Sequence, residues 1–245
     1  ATTVCTLRFG DGSTTCPPQA VDAWAPVTLT VVPDGASTFL AWSGACAAAT
    51  GTSCTITLGQ AASAGVTVVP RPVALTVAPV TGTTGTGRVS YGDGGACTLT
   101  PTSATGLCSR TLGVGTTVVL TATPDAGNVF DGWTGACAAA DGPVCTITIP
   151  NGTPPVLGAR FLAQRTVEVA PSNTVGGARV VSTPAGIDCT VQGSTRTGAC
   201  AAPFLVGAAV TLVATPDSAT TVDGWTGACT ASGGNPCVVT VAAGI

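Results

Sequence analysis

The sequence predicts an all-β protein built as three tandem small antiparallel β domains, each stapled by disulfides, of β-grasp-like or Ig-like sandwich type and arranged in a rod. Three observations carry this. Twelve cysteines fall in three sets of four: Cys5, Cys16, Cys46, Cys54; Cys97, Cys108, Cys137, Cys145; and Cys189, Cys200, Cys229, Cys237. Successive sets are offset by 92 residues, with internal gaps of 11, then 29 or 30, then 8, which marks an internal repeat. Between the cysteines, apolar residues alternate with Thr and Ala at period 2, the pattern of a half-buried strand. Gly and Pro punctuate the chain every few residues, and no capped helical stretch is found.

The elements follow from that alternation. The repeats are 1–70, 71–163 and 164–245. Val27-Thr-Leu-Thr-Val-Val-Pro-Asp34 matches Val118-Val-Leu-Thr-Ala-Thr-Pro-Asp125 and Val210-Thr-Leu-Val-Ala-Thr-Pro-Asp217. Cys54-Thr-Ile-Thr-Leu58 matches Cys145-Thr-Ile-Thr-Ile149 and Cys237-Val-Val-Thr-Val241. In the second repeat, strands are expected near 73–78, 87–91, 116–123, 129–133, 144–149 and 156–161, and further ones near 166–170 and 178–182. Thr on the outer faces supplies β-propensity without charge. The linkers, Pro70-Arg71-Pro72 and Leu162-Ala163-Gln164-Arg165, are too short to act as flexible tethers. Ala1 aligns with Ala185 and Ile245 with Thr153, so Pro154–Pro184 has no counterpart at either end. The first repeat is expected to lack its opening strands and the third its closing strand, leaving unpaired sheet edges that are templates for association. Two explanations stand: a piece of a longer array, or a fibre subunit docking head-to-tail. The start, Ala1-Thr2-Thr3-Val4, is no signal peptide; it suits the mature end left by cleavage at a small residue, and a boundary cut within a longer chain would look the same.

Composition narrows the chemistry. Of 245 residues only 8% are charged, against about 25% in a typical soluble domain. The net charge is −3, all eight basic residues are Arg, and Lys, His and Met are absent. Without His there is no Ser-His-Asp or Cys-His catalysis and no imidazole ligand. Without Lys there is no Schiff base or phosphate-loop lysine. Eight scattered Arg make no basic patch, which argues against nucleic acid. No run of 18 apolar residues predicts a membrane span. The expectation is a non-enzyme with no cofactor and no metal.

Phe130-Asp-Gly-Trp-Thr-Gly-Ala-Cys137, followed by Cys145-Thr-Ile-Thr-Ile149 and preceded by the Val118–Asp125 strand, resembles the divergent internalin-type B-repeat family, as does Pro184-Ala-Gly-Ile-Asp-Cys189. The resemblance covers the second and third repeats. The first departs from it, with Leu40-Ala41 for Asp-Gly and Trp24 where Gly115 and Gly207 fall. It implies β-rich stalk or adhesin modules of secreted or surface-anchored bacterial proteins, with no catalytic residues to carry over.

Four residue sets are candidates for special roles. The C-x10-C and C-x7-C spacings do not suit zinc, which favours closer pairs; a disulfide framework places the chain in an oxidising compartment. Four cysteines allow three connectivities. Sequential pairing is favoured, with Cys137–Cys145 across a hairpin between 129–133 and 144–149, each closure contributing roughly 2–4 kcal/mol. Trp42, Trp133 and Trp225 are expected at the cores, each on its neighbouring disulfide. Trp24 has no counterpart and is the candidate contact residue. The pairs Asp125/Asp131 and Asp217/Asp223 read as turn residues rather than facing carboxylates or a calcium site. Asn151-Gly-Thr153 is a formal glycosylation sequon.

These readings converge on an extracellular or bacterial cell-surface structural repeat: a stalk or adhesin segment, or a fibre subunit assembling head-to-tail. Its partners would be other copies or neighbouring repeats. The alternative is a module binding a surface glycan or protein.

Overall fold

Alternating Val, Ile, Leu and Thr become strand almost throughout the computed structural model. The structure describes residues 6–7, 14–15, 20–57, 59–172, 175–218, 220–232 and 234–243. The helical element among them is one 3₁₀ turn, Gly227–Ser232. The chain divides into two compact units: Ala1–Thr76 with Ser109–Val119 and Thr146–Val156, and Val77–Cys108 with Leu120–Cys145 and Leu157–Ile245.

In the first unit, β1 (Thr6–Leu7) pairs with β2 (Thr14–Thr15). β3 (Pro26–Thr30) pairs antiparallel with β5 (Ser53–Thr57), setting Val27 opposite Ile56 and Leu29 opposite Cys54. On the outer face the hydroxyls of Thr28 and Thr55 lie 2.8 Å apart, so the uncharged face is bonded across the strands. β4 (Ser37–Gly44) pairs with β6 (Ala64–Pro70), with a register shift between Phe39 and Ala41. β6 and β7 (Pro72–Val77) are separated by Arg71 alone, and β7 pairs with β11 (Ser109–Gly113). Arg71 is held on all sides. Its N–H donates to Ala36 O (2.7 Å) and its carbonyl accepts from Val114 N (3.0 Å). Its Nε donates to Gly35 O (2.8 Å) and its Nη2 to Asn151 Oδ1 (3.2 Å). The Pro-Arg-Pro linker is therefore pinned rather than free.

A further sheet is formed by β8 (Gly87–Tyr91), β9 (Ala96–Leu99), β10 (Ala104–Gly106), β12 (Thr117–Pro124) and β14 (Val144–Thr148), in the order β10-β9-β8-β12-β14. β13 (Asn128–Gly135) pairs antiparallel with the first half of β15 (Val156–Glu168). The expected hairpin between 129–133 and 144–149 is therefore not formed: β14 lies beside β12, and β13 lies in another sheet. The reason is the apolar face of β15. Pairing β13 with it sets Trp133 opposite Ala159 and Phe130 opposite Phe161, and Leu157, Ala159 and Phe161 are each at most 1% exposed. Around Cys97 and Cys108, where the sequence marks no strand, the structure has β9, β10 and β11.

The third repeat has its own sheet, in the order β18-β17-β16-β20-β21. Its strands are β16 (Gly177–Thr183), β17 (Asp188–Gln192), β18 (Thr195–Ala199), β20 (Ala209–Pro216) and β21 (Cys237–Thr240). β19 (Ala201–Leu205) pairs with the second half of β15, Gln164–Glu168. The core of this repeat gathers Val169, Val180, Cys189, Phe204, Val210 and Leu212 among others. Leu162–Arg165, expected to be a linker, are the middle of the 13-residue β15.

Candidate functional site

The cysteines come first, since they shape everything near them. The structure joins Cys46–Cys54, Cys97–Cys108, Cys137–Cys145, Cys189–Cys200 and Cys229–Cys237, and no described cysteine is free. The expected pair Cys5–Cys16 lies outside the described residues. The route differs from the hairpin argument. Cys137 follows β13 and Cys145 lies in β14, so this bond ties together strands that belong to different sheets.

The three repeated tryptophans are not equivalent. Trp133 is buried, edge-on to Phe130 with centroids 5.5 Å apart. Its Nε1 donates to Gly142 O (3.0 Å). Trp42 makes the same bond to Gly51 O (2.9 Å) but is half-buried. Trp225, also expected in the core, is half-buried as well, and its Nε1 is buried with no partner among the described residues. Trp24 stands out differently. It is 73% exposed and holds a φ of 67°, an uncommon backbone for a bulky residue.

The carboxylates serve the frame. Asp125 accepts from Thr86 Oγ1 (2.7 Å), Asp34 from Ala36 N (3.1 Å), and Asp217 from Gln192 Nε2 (3.3 Å). Asp131 pairs with Arg160, and Glu168 with Arg196. Arg179 clasps Asp188 with two bonds, of 2.7 and 2.6 Å, which raise the guanidinium pKa and hold the carboxyl below the usual carboxylate range. Asn151, of the sequon, accepts from Arg71. Among the described residues no cluster of three His, Cys, Asp or Glu could hold a metal ion. No described helix is long and apolar enough to cross a membrane.

The feature that sequence reasoning missed is a groove in the third repeat. A cavity of about 1010 Å³ lies along Arg165–Ala170 and Thr220–Cys229, lined by Val167, Val169, Val180, Leu212, Trp225 and Val241. One wall is the exposed edge of β15. Val169 N donates to Cys200 O (2.8 Å) and Val206 N to Ala163 O (2.8 Å), so the odd-numbered residues from 163 to 169 bond across to β19. Pro203, opposite Thr166, falls where the ladder needs no N–H. The backbone groups of Thr166, Glu168 and Ala170 therefore face the groove. The opposite wall is Val222-Asp-Gly-Trp-Thr-Gly227, nearly the text of β13 and yet not a strand.

A family model for the divergent InlB B-repeat domain matches residues 102–164 and 180–243, together just over half of the chain. The chain belongs to the divergent InlB B-repeat family. Neither a curated protein nor a solved structure matches it. B-repeats of this family are bacterial surface repeat domains and not a known enzyme family. The first B-repeat match runs from the β9–β10 turn through the first half of β15, and the second begins inside β16. Family membership and disulfides together fit an extracellular protein.

Proposed function

We propose that this chain is a structural B-repeat segment of a secreted or cell-surface bacterial protein, acting as a stalk, an adhesin segment or a fibre subunit. The observation that carries the reading is the way consecutive repeats are joined. β15 gives its first half to one repeat and its second half to the next, and Arg71 is fixed by four hydrogen bonds between β6 and β7. Such junctions transmit force and position rather than gate a reaction. Disulfides within each repeat suit an oxidising, protease-rich exterior, and eight Arg with no Lys leave few sites for trypsin-like cleavage. Antibody labelling of intact cells tests this. Label at the surface or in the medium is expected; label appearing only after lysis would overturn it.

One observation favours a second reading, a surface-binding module. Trp24 is 73% exposed and belongs to one repeat, and an exposed Trp offers an apolar face to a sugar or protein surface. A glycan array run with the chain and with Trp24→Ala decides it: signal that disappears in the variant supports binding through Trp24, and a blank array removes the reading.

A further inference from the structure

The chain has one Asn-Gly pair, Asn151-Gly152. It follows β14 in an irregular bend, and both residues are exposed. Apart from the chain neighbours, no atom stands within 4 Å of where a Cβ on Gly152 would lie. Among the described residues nothing accepts a hydrogen bond from the Gly152 N–H. The main-chain nitrogen after Asn151 is therefore unbonded and unobstructed.

The Asn151 side chain, by contrast, is held. Arg71 Nη2 donates to its Oδ1 (3.2 Å). Its Nδ2 lies against Gly35, 3.2 Å from where a Cβ on that glycine would stand. Arg71 Nε donates to Gly35 O (2.8 Å), so one guanidinium spans the turn before β4 and the Asn amide. Among the described residues no carboxylate pairs with Arg71. The arrangement belongs to this junction. By the repeat spacing, Arg71 corresponds to Ala163, and Asn151 to Gln60 and Ala243.

We propose that Asn151 is a self-modification site: its side-chain amide is lost through a ring closed with Gly152, and the carboxylate left behind pairs with Arg71. Solvent hydroxide takes the proton of the Gly152 N–H. That nitrogen attacks Asn151 Cγ, the new N–Cγ bond closes a succinimide, and the Cγ–Nδ2 bond breaks to release ammonia. Water then opens the ring at either carbonyl. Breaking N–Cγ leaves an ordinary aspartate; breaking the bond from N to the main-chain carbonyl leaves an isoaspartate. The sum is amide plus water giving carboxylic acid plus ammonia, with nothing oxidised or reduced. The two neighbours assist at different points. Gly152 offers a nitrogen with no Cβ beside it and a backbone free to turn towards Cγ. Arg71 donates to the oxygen on which negative charge gathers as Cγ becomes tetrahedral. Afterwards the same guanidinium donates to a carboxylate instead of a neutral amide, and the charge-assisted bond is the stronger. Arg71 is the residue between β6 and β7, so the modification tightens the clasp on that junction. The inference goes beyond the stalk reading and does not depend on it.

Peptide mapping by mass spectrometry tests it, on the full chain when fresh and after storage at mildly alkaline pH, with isoaspartate told from aspartate by electron-transfer fragmentation. Position 151 is expected to gain the acid in both forms, and the other asparagines are not. Gly152→Ala should slow the gain several-fold. Arg71→Gln should also slow it several-fold in the folded chain, and leave the rate in denaturant unchanged. If that variant does not fold, a synthetic peptide of residues 147–156, which lacks Arg71, takes its place and should react more slowly than the folded chain. Asn151→Asp, which mimics the product, should raise the melting midpoint by about 1–3 °C at low salt and lose that gain at high salt. No acid at position 151, or equal rates with and without Arg71, overturns the proposal. A glycan mass on Asn151 overturns it too, since the sequon is then the site in use. A midpoint unmoved by Asn151→Asp overturns the pairing with Arg71. Surface labelling and this mapping fail independently.

Discussion

Removing the bond between Cys137 and Cys145 is the most direct test of how the second repeat is held. The two residues are 8 apart in sequence, their Cα atoms are 5.9 Å apart, and each is 2% exposed. Closing a loop of that length in the unfolded chain contributes about 2.5 kcal/mol by the chain-entropy relation. The paired variant Cys137→Ala/Cys145→Ala should therefore lose about that much, which lowers the melting midpoint by about 10 °C for a domain of this size. Calorimetry of the non-reduced variant beside the parent measures it. The bond ties the end of β13 to β14, strands that share no ladder hydrogen bonds; beside it stands the bond from Trp133 Nε1 to Gly142 O, just before β14. A midpoint unchanged within a degree or two would refute the reasoning, because the two sheets would then be held fully by packing. A chain unfolded at 25 °C would refute it from the other side. Cys46→Ala/Cys54→Ala closes a loop of the same length, so any difference between the two variants reads the packing around each bond rather than the loop.

Three further outcomes follow from single residues. Ser182, 8% exposed, donates to Pro184 O and accepts from Ile187 N, both at 2.8 Å; Ser182→Ala strands that buried amide and should cost about 1–3 kcal/mol in a urea melt. Phe161 is fully buried against Phe130, with centroids 6.1 Å apart, and Phe161→Ala should cost about 3–5 kcal/mol by the same measurement. The Asp188 carboxyl, lowered chiefly by its hydrogen bond from Arg179, should titrate below the ordinary aspartate value in carbon-detected NMR. Because the folded value is the lower one, its small contribution is present above the unfolded aspartate pKa and is lost as pH falls through the folded one; Arg179→Gln should return the midpoint to the ordinary range.

The strands legible in the sequence were those whose partners did not need to be known. Val73–Val77, Gly87–Tyr91, Thr117–Pro124 and Gly177–Thr183 declare themselves by alternation of Val, Leu or Ala with Thr, Ser or Arg, and the structure has a strand at each. β9, β10 and β11 were not legible. Ala96–Leu99 and Ala104–Gly106 are too short to show a period, and Pro101-Thr-Ser103 between them reads as loop. The pairing of β13 is not legible, because adjacency in sequence favours a hairpin, while the actual partner, β15, lies beyond β14. The groove was hidden for the same reason. Val222–Gly227 carries the sequence of a strand, and whether it becomes one depends on a neighbour that no local pattern describes.

That dependence also explains how a chain this poor in charge and aromatic residues holds repeats together without linkers. Gln164 N donates to Gly127 O (2.8 Å), the last bond to the second repeat, and Ala163 O accepts from Val206 N (2.8 Å), the first bond to the third. The two bonds are one residue apart on the same strand. A hinge at this point would break both, so the junction has the stiffness of a sheet rather than of a loop. Strand sharing costs no extra residues, and it makes the closing strand of one repeat the opening strand of the next.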